Sequence, residues 1–216
     1  MGLTPSPHRK ISSRQLSVAA EATAAAQFAL GGFDVLEQAG RAKFYDLGVA
    51  TPDGMLKLSV YGSLNGFWNL ADPFLNLKPR MTAKESDYHR AIDLWLADHN
   101  SRTCCLVQFQ AAELNIMPRL YLASAREVAE RLHESTEQLG DSVLYEEGWI
   151  SDSAHASHAM GSLPAAWRFS PARVGELLLL RAPQRPSRSP FSSPSQPHPR
   201  AAEQPAAVVQ YVPVMA

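Results

Sequence analysis

The fold is decided by the stretch FYDLGVATPDGMLKLSVY, residues 44–61. Residues 44–49 are mostly apolar around Asp46 and predict a short buried strand, and residues 55–61 predict a second strand. The letters PDG between them, residues 52–54, indicate a tight turn. Asp46 interrupts an otherwise apolar strand, and because an unpaired buried carboxylate is costly, its side chain is expected to have a partner.

The flanking sequence predicts an α/β domain. A helix is expected from Ser12 or Ser13 to Leu30, with Ser13 as its cap, and Ser124 with Glu127 three residues later predicts a capping box. The remaining expected elements are strands at 33–36, 103–109 and 118–122, and helices at 84–97, 124–137 and 170–180. The order of helix, three strands, helix, two strands and helix predicts a central mixed β-sheet flanked by helices.

Composition changes abruptly after the last predicted helix. Half of the sixteen prolines fall in residues 182–216, where they alternate with Ser, Gln and Arg. Such a segment cannot bury enough apolar surface to offset chain entropy, so it is expected to be a disordered tail. The predicted organisation is a flexible N-terminus over residues 1–11, one domain over 12–181, and the tail over 182–216.

Charge and cysteine content narrow the class of protein. The net charge of -1 argues against a globally basic nucleic-acid binder but allows a local basic patch. The only cysteines, Cys104 and Cys105, are neighbours in sequence, which suits neither a disulfide nor a zinc site and favours a reducing cytoplasm. The sequence has no run of about 18 apolar residues, so no membrane association is expected.

Beyond residues 44–61, three further segments suggest a family. They are LSVYGS at 58–63, DYHRAIDLWL at 87–96 and MPRLYL at 117–122. Together with the helix and three strands that open the domain, they resemble a bacterial group within the PD-(D/E)XK nuclease-like superfamily, which includes restriction endonucleases and Holliday-junction resolvases. The resemblance covers residues 12–122 and implies a restriction-endonuclease-like core.

The resemblance also implies roles for individual residues. Asp46 matches the metal-binding aspartate of the superfamily, and Glu21 matches a helix glutamate that often adds a further ligand for Mg²⁺. Ser59 stands at the position of the second acid, and Tyr61 at the position of the lysine. A hydroxyl is a weak ligand for a hard cation, and a neutral phenol cannot offset charge on a phosphate, so two of the four chemical roles are absent.

Three functions follow as alternatives from this degenerate motif, the third being an α/β domain that resembles the nucleases in architecture only. The first is a catalytically inert nuclease-like domain that binds DNA or a protein partner and needs no cofactor, and it is the function the sequence favours. The second is a Mg²⁺-dependent DNA endonuclease that uses Asp46, Glu21 and a migrated lysine, either Lys57 or Lys43. Lys57 shares a strand face with Ser59 and Tyr61, although a solvent-exposed strand lysine is the commoner role.

Overall fold

The computed structural model describes residues 11–37, 45–52, 54–75, 83–109, 116–146, 148–150, 158–160 and 163–181. The α-helices are α1 (Ser13–Leu30), α2 (Glu85–His99), α3 (Ala125–Leu139) and α4 (Pro171–Arg181). The strands are β1 (Asp34–Glu37), β2 (Leu47–Thr51), β3 (Gly54–Ser63), β4 (Phe67–Trp68), β5 (Thr103–Gln108), β6 (Arg119–Ser124), β7 (Leu144–Tyr145), β8 (Gly148–Ile150) and β9 (His158–Met160). The predicted N-terminal segment, apart from Ile11, and the predicted tail lie outside the described residues.

Five strands form one mixed sheet in the order β1-β2-β3-β5-β6. The first three are an antiparallel meander, β3 and β5 run parallel, and β6 returns antiparallel to β5. Helix α2 supplies the crossover that a parallel pair requires. The predicted α/β class, a mixed sheet flanked by helices, is confirmed.

Helices cover both faces of the sheet, which gives two apolar cores. On one face, α1 and α4 pack against alternate residues of the strands, including Leu58 and Val60 of β3. On the other face, α2 and α3 pack against Cys104, Leu106 and Tyr121, and Tyr61 lies against this second core. Because strand side chains alternate between faces, Ser59 lies on the same side as Tyr61.

Gly62 allows α1 to approach β3 closely. A Cβ atom at this position would lie 3.0 Å from the Ala20 Cβ and 3.1 Å from the Leu16 carbonyl oxygen. Contacts of that length would force the helix to move by a few tenths of an ångström. The glycine at the end of the LSVYG segment therefore sets the distance between α1 and the sheet.

Local signals decide several element boundaries. Ser12, rather than the predicted Ser13, caps α1, because Gln15 lies three residues after Ser12 and completes the capping box. The capping box predicted for Ser124 and Glu127 is present at the start of α3. The short strands β4 and β7 pair with each other, and this pairing was not predicted from sequence. Among the described helices, none has the length and apolarity needed to span a bilayer.

Candidate functional site

The candidate site lies where β2 and β3 stop pairing. Their ladder ends at the pair Leu47–Leu58, so Asp46 and Ser59 are the next residues along the two strands. The backbone N–H of Asp46 still donates to the Leu58 carbonyl at 2.8 Å. Asp46 is thereby held against β3, on the edge of the face that carries Ser59 and Tyr61.

The Asp46 carboxylate has a definite partner, and it is a backbone group. The Val60 N–H donates to the Asp46 Oδ2 at 2.7 Å. The amide of a strand residue needs an acceptor, and the side chain of Asp46 supplies one where the β2 backbone has turned away. The expectation that this carboxylate needs a partner is confirmed, and the partner gives it a structural role at the end of the ladder.

Ser59 and Tyr61 offer neutral hydroxyls rather than charges. Ser59 is buried, Tyr61 is partly buried, and the Trp68 indole donates to the Tyr61 carbonyl at 3.1 Å. Burial raises the pKa of the Tyr61 hydroxyl well above its ordinary value, and the nearby Cys104 and Asp46 raise it further. A hydrogen bond with Ser59 and the charge of Arg102 oppose that rise without cancelling it. Tyr61 therefore stays protonated at every physiological pH.

Of the two candidate lysines, the structure describes Lys57 only. The exposed Lys57 lies on the same strand face as Ser59, with its Nζ 5.9 Å from the centroid of the Tyr45 ring. An ammonium over an aromatic face is a weak, solvent-accessible interaction. Lys43 lies outside the described residues.

Glu21 is on the opposite side of the sheet from Ser59 and Tyr61. It belongs to α1, whose buried residues pack against the face of Leu58 and Val60. Its carboxylate accepts a hydrogen bond from the Ser17 hydroxyl at 3.1 Å. In the described part of the chain, no group of three or more His, Cys, Asp or Glu side chains is placed to hold a metal ion.

Sequence reasoning missed Arg102, which lies beside Lys57. In the parallel pair, Leu58 lies opposite Thr103, so Lys57 within β3 and Arg102 just before β5 are the next residues in that register. Neighbouring strands are about 4.8 Å apart, so the backbones of these two cationic residues lie side by side. The Arg102 Nη2 lies 3.4 Å from Asp98 Oδ2 and the guanidinium is close enough to act on Tyr61.

His99, at the end of α2, is near enough to feel the charges of Arg102 and Asp46 and was also missed. Its ring stacks on Trp95, with centroids 4.8 Å apart, and its Nδ1 lies 2.9 Å from the Trp95 carbonyl, an arrangement in which Nδ1 carries the proton. Burial lowers the pKa of His99 below its ordinary value, so the ring is uncharged at neutral pH. The positive charge at this site comes from Lys57 and Arg102.

The described arrangement can bind an anion more readily than a hard metal. It offers one carboxylate already bonded to a backbone amide, two neutral hydroxyls and two adjacent cations. Comparisons with protein families, with curated proteins and with solved structures give no match.

Proposed function

We propose that this chain is a catalytically degenerate PD-(D/E)XK nuclease-like domain that binds DNA through its phosphate backbone. The observation that carries the proposal is the bond between the Val60 N–H and the Asp46 carboxylate, on a strand where Ser59 and Tyr61 replace an acid and a lysine. The order of α1, a three-strand meander, α2 and a parallel strand is consistent with the restriction-endonuclease-like core that the sequence suggests.

The absence of charge at two positions argues for binding without cleavage. Phosphodiester hydrolysis by Mg²⁺ needs ligands that hold the ion and a cation that stabilises charge on the phosphate. A protonated Tyr61 and a Ser59 hydroxyl supply neither. Lys57 and Arg102 can nevertheless bind phosphate oxygens, and contacts of that kind position a protein on DNA without reading its sequence.

Binding should depend steeply on salt and on the two neighbouring cations. Wild-type protein is titrated into fluorescein-labelled duplex and single-stranded oligonucleotides at 50, 100 and 200 mM NaCl, with anisotropy as the readout. Each phosphate contact contributes about 0.9 to the slope of log K against log salt on duplex DNA, so Lys57→Ala and Arg102→Ala should each reduce the slope by about one.

Lys84→Ala is the matched control for that titration. Lys84 is an exposed lysine just before α2, about 22 Å along the helix axis from the His99 end. It should leave affinity and slope unchanged. Undetectable binding to any DNA at 50 mM salt would contradict the proposal and favour a protein-interaction module, as would equal losses from all three variants.

Asp46→Ala tests whether this carboxylate serves structure or catalysis. The substitution leaves the amide of Val60, a residue only 6% exposed, without its acceptor. We expect it to lower the free energy of unfolding by about 1–3 kcal/mol. Asp46→Asn keeps a carbonyl oxygen as acceptor and should cost clearly less. Urea unfolding with an unchanged m value gives both numbers.

The same pair of variants addresses the Mg²⁺-dependent endonuclease alternative. Wild-type protein and both variants are incubated with Mg²⁺ or Mn²⁺ and a panel of branched, single-stranded and duplex DNAs. The degenerate-domain proposal predicts no cleavage by any of them. Wild-type cleavage that Asp46→Asn abolishes without loss of stability would overturn it.

A further inference from the structure

Two histidines on different helices meet with their ring nitrogens head to head. His89 of α2 and His133 of α3 have their Nδ1 atoms 2.6 Å apart. The ring centroids are 4.9 Å apart and the rings are inclined by only 20°. Because the centroids are separated by the nitrogen–nitrogen distance plus about two ring radii, the imidazoles lie end to end in nearly one plane rather than face to face.

Each of these rings has a carboxylate beside its outer nitrogen. The His89 Nε2 lies 3.6 Å from Glu85 Oε1, and the His133 Nε2 lies 3.3 Å from Asp93 Oδ1. A carboxylate beside Nε2 favours the tautomer that carries its proton there, as in histidines that bind metals through the other nitrogen. The Nδ1 lone pairs of both rings then point at each other, which is repulsive unless a cation lies between them.

We propose that His89 and His133 form a two-histidine binding site for a divalent transition-metal ion. Imidazole nitrogen suits Zn²⁺, Cu²⁺ and Ni²⁺ and not Mg²⁺. With Zn–N bonds of about 2.0–2.1 Å in tetrahedral geometry, the two nitrogens would stand about 3.3 Å apart. Ion binding would therefore separate them by about 0.7 Å and turn each ring by about 35°, so that both lone pairs point at the ion. Only these two side chains ligate the ion directly, and water fills its remaining positions.

The two histidines are accessible to an ion from solvent, and an ion bound there would connect two helices. The side chains of His89 and His133 are 31% and 30% exposed, so the Nδ1 atoms are within reach of solvent. Their helices pack against the same core, so the ion would cross-link α2 and α3. The pair lies ten residues from His99, about 15 Å along α2, and is separate from the proposed DNA site.

A thermal-shift experiment tests this site. Metal-free protein is melted with EDTA, Mg²⁺, Zn²⁺, Ni²⁺ or Cu²⁺ at graded concentrations. At a free ion concentration of ten times the Kd, the melting temperature should rise by about 3–6 °C with the three transition metals and stay unchanged with Mg²⁺. Affinity should be highest for Cu²⁺.

Substitutions assign that shift to the pair. His89→Gln and His133→Gln should each abolish it, and the double variant should do no more than either. Asp93→Asn should weaken binding by about 10–100-fold, whereas His8→Gln, which removes a histidine of the N-terminal segment, should change nothing. Copper electron paramagnetic resonance of the wild-type protein should show two imidazole nitrogens, a readout that needs no variant.

Three outcomes would overturn the inference. They are no shift with any transition metal, a shift that survives in both single variants, and a copper spectrum with fewer than two imidazole nitrogens. A pair that only shares a proton would give the first of these. None of the three bears on DNA binding, so this site and the proposed function can fail independently.

Discussion

Arg119→Ala is expected to lower the free energy of unfolding by about 3–5 kcal/mol, because it strands a buried carboxylate. The side chain of Glu146 is 6% exposed and that of Arg119 is 38% exposed. The guanidinium donates from Nε and Nη2 to the two Glu146 oxygens, each at 2.6 Å, and the Tyr121 hydroxyl donates to Glu146 Oε1 at 2.7 Å. Without Arg119, the carboxylate keeps the Tyr121 donor and the weaker influence of Arg168, but it loses its main countercharge.

Substitution of the other partner, Glu146, should lower the free energy of unfolding by less and serves as the matched control. Glu146→Gln removes the countercharge of Glu146 from Arg119, but the more exposed guanidinium can turn towards water. Urea unfolding of both variants at pH 7 measures the difference. Equal losses of unfolding free energy in the two variants would show that the effect comes from loss of the ion pair itself and does not depend on burial of the carboxylate.

The pH dependence of Arg119→Ala follows from the same contacts. Burial raises the pKa of Glu146, but the hydrogen bonds from Arg119 and Tyr121 outweigh it, and the net pKa is lowered. A lowered carboxyl pKa contributes stability above its unfolded value of about 4.3, and this stability is lost as pH falls through the folded pKa. In the variant, burial acts with less opposition and raises the pKa. The difference in unfolding free energy between wild type and variant should therefore become smaller as pH falls from 7 towards 4.

Elements set by local signals could be predicted from sequence, whereas contacts between distant segments could not. The capping box of Ser124 and Glu127 lies within four residues, so the start of α3 could be predicted from the sequence. The partner of Arg119 lies 27 residues away, beyond α3 and β7. No periodicity in β6 distinguishes a strand arginine in solvent from one that binds a buried glutamate.

The same distinction applies to the candidate site, where some contacts could be predicted from the sequence and others could not. Strand alternation correctly placed Ser59 and Tyr61 on one face, and the cost of an unpaired carboxylate predicted a partner for Asp46. The identity of that partner, the Val60 amide, depends on where the β2–β3 ladder ends. Arg102 was missed because its place beside Lys57 depends on the parallel pairing of β3 with β5, which α2 makes possible and the sequence does not specify.

Glu127→Ala is expected to cost about 3–5 kcal/mol, because it leaves a buried arginine without its main countercharge. The side chain of Arg173 is 6% exposed, and its Nη2 donates to Glu127 Oε1 at 2.6 Å. Its Nε donates to the Leu122 carbonyl at 3.1 Å, so the guanidinium joins α4 to the end of β6. A guanidinium cannot become neutral by losing its proton, whereas a stranded carboxylate can become neutral by gaining one. The same substitution removes the Glu127 half of the α3 capping box, its bonds to the Ser124 amide and hydroxyl, which adds to the loss.

A double-mutant cycle separates the ion pair from the cap. Glu127→Gln retains an acceptor for the Ser124 amide and should isolate the loss of charge. Arg173→Met fills similar volume without a charge, so adding it to Glu127→Ala removes the stranded cation. Replacement of both partners of a buried pair is often nearly neutral, so the double variant should be more stable than Glu127→Ala alone. Additive losses, measured by urea unfolding, would mean that Arg173 stabilises the fold through Leu122 and Glu176 rather than through Glu127. The link between α3 and α4 would then be a matter of packing, with little contribution from charge.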